Sequence, residues 1–174
     1  AKKIVKNSAN NFAATNLELG GKSPLVIFDD ADIESAANGI IAGNFGASGQ
    51  SCVAGSRVIV QKNISSKLKD IIKQKSENII VGNPLDPKTN LGPLCTSKQI
   101  EIIENTINKS VSQGAEIIFG GKKIEKEGNY FEPTLIYCPH RDIETLKIEM
   151  FGPVISLIEF DSEEHAIDLA NDSE

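Results

Sequence analysis

The feature that most constrains the fold of this chain is the alternation of short apolar runs with segments of helical periodicity. The run PLVIF at 24–28 is bounded by a proline and an aspartate, and the stretch 29–45 then spaces Ala and Ile three to four residues apart behind a group of acids. A continuous apolar run of this length predicts a strand buried on both faces, as in a parallel sheet. Acids at the start of the next segment are typical of a helix N-terminus.

The alternation continues along the rest of the chain. Thr96 and Gln99 have the spacing of a capping box, and apolar residues at helical intervals follow as far as Val111. Further helices are predicted over 2–13, around Leu68 and at SEEHAIDLAND. Further strands are predicted at TNLELGG, RVIVQ, AEIIFGG, TLIYC and PVISLIEF. Loops are predicted over 46–56 and 83–93. Strands that alternate with helices predict one domain of the α/β class, with three layers in which helices flank a largely parallel sheet.

Charge and composition restrict the partners and the location of the protein. The formal net charge is -6, and the lysines are spread among acids without the basic block that follows a phosphate backbone. We therefore expect no nucleic-acid partner. The chain has no apolar run of the roughly 18 residues that a membrane span needs, and its first residues lack the apolar stretch of a signal peptide. We expect no membrane partner and a cytoplasmic location.

The three cysteines are Cys52, Cys95 and Cys138, and none lies in a CxxC pair or at metal-ligand spacing from a histidine. An odd number without such spacing predicts neither a disulfide framework nor a metal site. Cys52 lies in the small-residue loop GASGQSCVAGS, which gives access to the sulfur and lets backbone N–H groups approach an oxyanion. It is the candidate nucleophile, and the alternative is that each cysteine is a small buried hydrophobe.

Glu18 is the candidate general base. In LELGG, strand alternation places Leu17 and Leu19 on one face and Glu18 on the other, and the two glycines leave that end of the strand open. A carboxylate in an apolar cleft suits proton abstraction. The alternative is a structural ion pair with Lys22, which follows closely in the chain.

A third segment, EMFGPV at 149–154, places Phe151 before a Gly-Pro turn. An aromatic side chain at such a turn offers a stacking surface for a flat ligand. The alternative is a core aromatic residue at the entrance of a strand.

Taken together, the three segments resemble the aldehyde dehydrogenase superfamily. LELGGKSP is similar to the glutamate motif of that family, GQSC followed by VAGSRV to its cysteine motif, and EMFGPV to its E-x-F-G-P-V segment, in the same order. FDDAD and the Gly-Pro at 92–93 resemble the family as well. The likeness covers essentially the whole chain, and agreement among several motifs is stronger than any one of them.

The resemblance implies an NAD(P)-dependent oxidation of an aldehyde to a carboxylic acid. Cys52 would form a thiohemiacetal and then a thioester, its backbone N–H would contribute to the oxyanion hole, and Glu18 would activate the hydrolytic water. Glu149 would hold the nicotinamide ribose and Phe151 would pack beside the nicotinamide. A glutamate at position 18 favours hydrolysis over transfer of the acyl group to coenzyme A.

The resemblance also implies that residues 1–174 are a catalytic domain truncated at both ends. The family places a cofactor-binding domain before LELGG, and no glycine-rich phosphate loop follows a strand in residues 1–16. Relatives also continue beyond this point into an oligomerisation strand, so a homo-oligomer is expected for the full-length protein. We expect the 174-residue chain alone to be inactive.

Two other classes of function stay open at this point. A cysteine hydrolase could use Cys52 without a nicotinamide, but it needs a histidine in the same site. The two histidines, His140 and His165, lie outside any nucleophile motif. A non-catalytic relative that keeps only the fold is the other alternative, and the presence of both Glu18 and Cys52 argues against it. The sequence does not select the aldehyde or distinguish NAD from NADP.

Overall fold

A five-stranded sheet in the order β1-β2-β5-β4-β3 forms the centre of the protein, in a computed structural model that describes residues 1–173. The strands are β1 (Pro24–Ile27), β2 (Arg57–Gln61), β3 (Glu116–Phe119), β4 (Thr134–Cys138) and β5 (Val154–Phe160). Every neighbouring pair is parallel except β3 and β4. The predicted largely parallel sheet is confirmed, with one antiparallel edge strand.

Within residues 1–173, six α-helices connect or flank these strands. They are α1 (Lys2–Ser8), α2 (Ile33–Phe45), α3 (Lys62–Ser76), α4 (Ser97–Ser112), the single turn α5 (Glu144–Lys147) and α6 (Glu163–Asn171). Asp32, Thr96 and Ser162 cap the N-termini of α2, α4 and α6, each accepting a hydrogen bond from the backbone N–H three residues on. The short helix α5 was not predicted, because four residues are too few to show a period.

Alternation along β2 and β5 divides the core into two layers, one on each face of the sheet. Val58 and Val60 pack with α2 and α3, and Ile59 faces α4 and α6 on the other side. Along β5, Ile155 and Leu157 face the first layer, whereas the even-numbered residues face the second. The three-layer arrangement is therefore confirmed, and the two central strands are buried on both faces, as a parallel sheet requires.

The prediction that PLVIF is buried on both faces is wrong. β1 lies at the edge of the sheet, and its residues alternate between exposed and half-buried. Leu25 and Ile27 pack against the layer of α2 and α3, but Val26 and Phe28 are more than a third exposed. An apolar run indicates a strand, but it does not indicate whether both faces are covered.

The strand predicted at TNLELGG is also wrong. Residues 11–21 have no regular structure and are all exposed. The alternation of Leu17, Glu18 and Leu19 fits a strand, but a strand also needs a hydrogen-bonded neighbour, and this segment pairs with none of the described residues. The first helix is likewise shorter than the predicted 2–13, because it ends at Ser8 and a turn follows.

No helix within residues 1–173 is both long enough and apolar enough to cross a membrane.

Candidate active site

The loop that carries Cys52 begins with a left-handed turn. Gly46 ends α2, and Ala47 (φ 50°, ψ 31°) and Ser48 (φ 57°, ψ 30°) then adopt left-handed conformations, followed by Gly49 with φ 72°. For residues other than glycine this conformation costs roughly 1–2 kcal/mol each. Backbone strain held next to a reactive side chain is typical of a functional site.

Cys52 lies at the tip of the turn that follows. The Ala54 N–H donates to the Ser51 carbonyl at 3.1 Å, and this bond closes a turn over 51–54 that leaves Cys52 exposed. Within residues 1–173 the Cys52 N–H has no protein acceptor. An accessible sulfur beside an unused N–H donor is the arrangement that nucleophilic attack on a carbonyl needs. The exposure of Cys52 also argues against the alternative of a small buried hydrophobe.

The cysteine loop packs directly against the EMFGPV segment. A Cβ built on Gly49 would overlap the Gly152 carbonyl, so only glycine allows the two backbones to approach this closely. Phe151, next to Gly152, has a φ of 49°. Left-handed residues therefore lie on both sides of the contact between the two segments.

A narrow cleft joins all three sequence motifs. Its walls are formed by Gly21 and Lys22 of the first motif, Gly49, Ser51, Ala54 and Ser56 of the cysteine loop, and residues 149–152 with Val154 of the third. These segments lie far apart in the chain, and they meet at the ends of β1, β2 and β5, which are adjacent in the sheet. The carboxyl and phenyl groups of Glu149 and Phe151 are both exposed at its edge.

The Glu149 carboxylate lies against Gly20. A Cβ built on Gly20 would overlap the carboxylate oxygens, so a larger residue there would displace Glu149. The glycines of LELGG therefore position the third motif as well as opening the end of their own segment. Phe151 is 39% exposed, which excludes the alternative of a core aromatic.

Of the four predicted site residues, Glu149 and Phe151 line this cleft, Cys52 lies on the loop that forms one of its walls, and Glu18 lies outside it. Glu18 is exposed, and its Oε1 accepts a weak hydrogen bond of 3.5 Å from Asn16 Nδ2. The expected apolar cleft around its carboxylate is not formed by residues 1–173, because residues 11–21 lie on the surface. The role of Glu18 stays a prediction.

The alternative partner of Glu18, Lys22, is instead buried. Its ammonium group has no hydrogen-bond partner among the described residues, so the ion pair with Glu18 is not formed. Burial, together with the nearby Arg57, lowers the pKa of Lys22 to about 8, and Cys138 and Glu149 partly oppose this shift.

Arg57 connects the first motif to the end of α6. Its buried guanidinium donates to the Lys22 carbonyl at 3.1 Å and to the carbonyls of Leu169, Ala170 and Asp172 at 2.5 to 3.2 Å. The Leu169 carbonyl also accepts from the Asp172 N–H at 3.2 Å. The guanidinium adds donors for the last carbonyls of α6 and complements the negative end of the helix dipole.

The other two cysteines and both histidines lie outside the cleft, in surroundings that are typical of structural residues. Burial raises the pKa of the Cys138 thiol to about 11, and its Sγ lies 3.5 Å from Thr145 Oγ1. Cys95 is exposed, and its backbone N–H donates to Gln50 Oε1 at 2.9 Å. His140 contacts the Gln113 carbonyl, and His165 lies in the first turn of α6. Neither histidine lines the cleft beside Cys52.

Sequence reasoning missed four residues that fix the site: Ser48, Gln50, Lys22 and Arg57. Gln99 was placed in a capping box with Thr96 and left out of the predicted site residues. The Gln99 N–H does donate to Thr96 Oγ1 at 3.3 Å, but the Gln99 side chain donates to the Met150 carbonyl and not back to Thr96. The missed residues lie inside or next to the three motifs, but only the fold shows what their side chains contact.

A largely parallel sheet flanked by helices, with a cleft where the loops before β1, β2 and β5 meet, defines the class as that of three-layer α/β proteins with a candidate site at this edge of the sheet. The model of the aldehyde dehydrogenase family matches residues 1–174. This chain belongs to the aldehyde dehydrogenase family.

Its relatives agree in sequence and in structure. It is 45% identical over 172 residues to the (Z)-2-((N-methylformamido)methylene)-5-hydroxybutyrolactone dehydrogenase of Acinetobacter baylyi, covering 98% of this chain and 35% of the relative. Betaine aldehyde dehydrogenase of Staphylococcus aureus in complex with NAD+ superposes with a TM-score of 0.92 at 39% identity, over 99% of this chain and 35% of that one. A 3,6-anhydro-L-galactose dehydrogenase in complex with NADP reaches 0.94 at 37% identity, over 99% and 37%. The chain spans about a third of the length of these relatives.

Proposed function

We propose that this chain is the nucleophile-bearing part of an NAD(P)-dependent aldehyde dehydrogenase that oxidises an aldehyde to a carboxylic acid. The observation that carries the proposal is the meeting of the Cys52 loop with Gly21, Lys22 and residues 149–152 around one cleft. Family membership supports the reaction class, and the NAD+ and NADP complexes of structural neighbours support the cofactor class.

Cys52 is the proposed nucleophile. Its thiolate attacks the carbonyl carbon, and the resulting oxyanion accepts a hydrogen bond from the Cys52 N–H, which has no protein acceptor in residues 1–173. The thiohemiacetal then loses a hydride and becomes a thioester on the same sulfur. A bound NAD(P)+ would supply the acceptor for that hydride.

Glu149 and Phe151 are the proposed contacts for the nicotinamide end of the cofactor. The carboxylate is exposed at the edge of the cleft and can accept hydrogen bonds from ribose hydroxyls, and the exposed ring can pack against a planar group. Gly20 supports this fit, because it leaves room for the Glu149 carboxylate at the side of the cleft.

Glu18 is the proposed base for hydrolysis of the thioester. It takes a proton from water as the hydroxide adds to the acyl carbon, and the Cys52 thiolate then leaves with the acid as product. In residues 1–173 its carboxylate is exposed on an irregular segment. The proposal therefore requires residues 11–21 to bring Glu18 towards the cleft, which is supported by Gly21 already lining it.

A cysteine hydrolase without nicotinamide is less well supported. That mechanism uses a histidine to take the thiol proton, and neither His140 nor His165 lines the cleft beside Cys52.

The test is an activity assay on the complete protein that contains this chain, with a panel of aldehydes and both dinucleotides. We expect aldehyde-dependent formation of NADH or NADPH together with an equal amount of the carboxylic acid. Acid formation from an ester faster than any dinucleotide reduction would favour the hydrolase, and absence of both reactions would contradict the proposal.

A further inference from the structure

Two side chains of the cysteine loop fasten it to one neighbouring segment. Ser48 Oγ donates to the Gly92 carbonyl at 3.0 Å, and Gln50 Oε1 accepts from the Cys95 N–H at 2.9 Å. Gln50 lies two residues before Cys52, and its own N–H returns to the Ala47 carbonyl at 3.0 Å. We call residues 92–99, which receive these contacts, the bridge segment.

The bridge segment also holds the other wall of the cleft. At its far end the Gln99 side chain donates to the Met150 carbonyl, between Glu149 and Phe151. The same eight residues therefore contact the loop of the proposed nucleophile and the segment of the proposed cofactor contacts. Leu94 is buried in the core and its N–H donates to the Asn129 carbonyl at 2.8 Å, which anchors the bridge segment itself.

The left-handed turn over 47–49 needs such an anchor, because Ala47 and Ser48 hold a backbone conformation that residues other than glycine rarely adopt. Ser48 acts inside the turn and Gln50 acts where the turn passes into the loop of Cys52. The other end of that loop is fixed separately, by the Gly55 N–H on the Gly43 carbonyl at 3.2 Å. The Ser51 hydroxyl binds only the Val53 N–H within the loop, so Gln50 is the last side chain before the sulfur that binds a neighbouring segment.

We propose that Gln50 is a positioning residue, which sets the placement of Cys52 by binding the Cys95 N–H of the bridge segment. The inference rests on the proposed function, because it assumes that Cys52 reacts with the substrate. A nucleophile displaced by about 1 Å can lose on the order of 100-fold in rate without any change in its own chemistry. Loss of the hydrogen bond between Gln50 and the Cys95 N–H should therefore lower kcat, even when kcat is expressed per Cys52 that still reacts as a thiol.

The experiment compares three substitutions in the complete enzyme. Gln50→Glu keeps the length and the acceptor oxygen, Gln50→Asn keeps the amide but is one methylene too short, and Gln50→Ala removes both. The matched control is Gln74→Ala, at an exposed glutamine of α3. Folded protein is first separated by gel filtration, so that unfolded protein does not count. Turnover is then divided by the amount of alkylatable Cys52 in that fraction, and KM for the aldehyde is measured alongside.

We expect kcat per reactive thiol to fall about tenfold or more in Gln50→Asn and Gln50→Ala, with KM for the aldehyde changed by less than about threefold. Gln50→Glu should recover most of the loss, and Gln74→Ala should match the parent enzyme. Equal values in Gln50→Glu and Gln50→Asn, or a loss of thermal stability with kcat per thiol unchanged, would overturn the inference. A parent enzyme without dehydrogenase activity would instead overturn the proposed function.

Discussion

Lys22 and Cys138 are two buried titratable residues whose ionisation opposes folding in different pH ranges. Burial lowers the pKa of Lys22 from 10.5 to about 8, so between these values the unfolded chain binds a proton that the folded chain lacks, and stability rises with pH. Burial raises the pKa of Cys138 from 9.0 to about 11. Above pH 9 the unfolded thiol therefore ionises first, and stability falls.

Replacing Lys22 should separate these two effects. In Lys22→Met the rise in stability between about pH 8 and 9 should disappear, and the fall above pH 9 should become visible. At pH 7 the variant should be more stable by up to about 3 kcal/mol, because the unpartnered buried charge is gone. Urea unfolding from pH 7 to 10 measures this, with the exposed Lys88→Met as control. A pH profile like that of the parent would contradict the burial of an unpaired ammonium group.

Substitution of each cysteine tests which one reacts. In the complete enzyme, Cys52→Ala should lower kcat by about 10³-fold or more, as other nucleophile deletions do. Cys95→Ala keeps the backbone N–H that binds Gln50, so turnover should stay near that of the parent, and Cys138→Ala should affect stability more than turnover. Normal turnover by Cys52→Ala, or a folded but inactive Cys95→Ala, would show that the wrong cysteine has been assigned.

At this scale the sequence singled out three motifs that meet around one cleft, but not how their residues are held. Cys52, Glu149 and Phe151 could be chosen because their neighbours are unusual. Lys22 and Gln50 could not, because a lysine beside glycines and a glutamine in a loop are ordinary until tertiary contacts are known. Glu18 was assigned a strand and a cleft that residues 1–173 do not form, since side-chain alternation carries no information about a pairing partner.

Among the elements, α6 packs on the sheet through Ala166 and Leu169, and a side chain of β2 binds its C-terminal end. Arg57 satisfies the carbonyls of Leu169, Ala170 and Asp172 and also that of Lys22, so it links the end of α6 to the first motif. A lysine in its place lacks the planar guanidinium group and cannot donate to the Lys22 carbonyl and to the α6 carbonyls at the same time.

Arg57→Lys should therefore destabilise the protein by about 2–4 kcal/mol, because several buried carbonyls lose their donors. Hydrogen exchange should show the amides of α6 opening before those of β5. Uniform exchange in both elements would mean that Arg57 does not hold α6 separately. The control is Arg141→Lys. Arg141 forms an ion pair with the exposed Asp168, and this pair should contribute little to the free energy of unfolding.

The elements that were predicted well are those whose apolar residues repeat at a regular spacing and face the core. α4 follows the spacing of Ile100, Ile103 and Ile107, and β2 and β5 are apolar along their length because helices cover both faces. β1 was predicted as a strand, but its edge position was not, since its apolar run looks like that of a central strand. The antiparallel direction of β3 depends on connections that no local pattern encodes.

For the molecule as a whole, exposed apolar residues concentrate in the first segment. Ile4, Val5, Phe12, Leu17 and Leu19 are all more than a third exposed, and β1 beside them is an edge strand. Surface of this kind favours association with other protein surfaces. The proposed cofactor contacts, Glu149 and Phe151, reach only one end of a long flexible ligand.

We therefore expect the 174-residue chain alone to self-associate and to lack both dehydrogenase activity and tight cofactor binding. Two contacts do not offset the ordering cost of a dinucleotide. Sedimentation velocity and calorimetric titration with NAD+ measure the two properties. A monomer that binds NAD+ with micromolar affinity would show that this chain forms a more complete cofactor site than Glu149 and Phe151 provide.

The most direct test of the whole account is to trap the acyl group on Cys52. In the complete enzyme, Glu18→Gln removes the proposed base for hydrolysis and keeps the size of the side chain. Rapid mixing with an aldehyde and NAD(P)+, an acid quench and digestion with trypsin then separate Cys52, in peptide 23–57, from Cys95, in peptide 89–98. We predict a burst of reduced cofactor, a slow steady state and an acyl mass on peptide 23–57. Unchanged steady-state turnover without a burst, or an acyl group on another cysteine, would contradict the account.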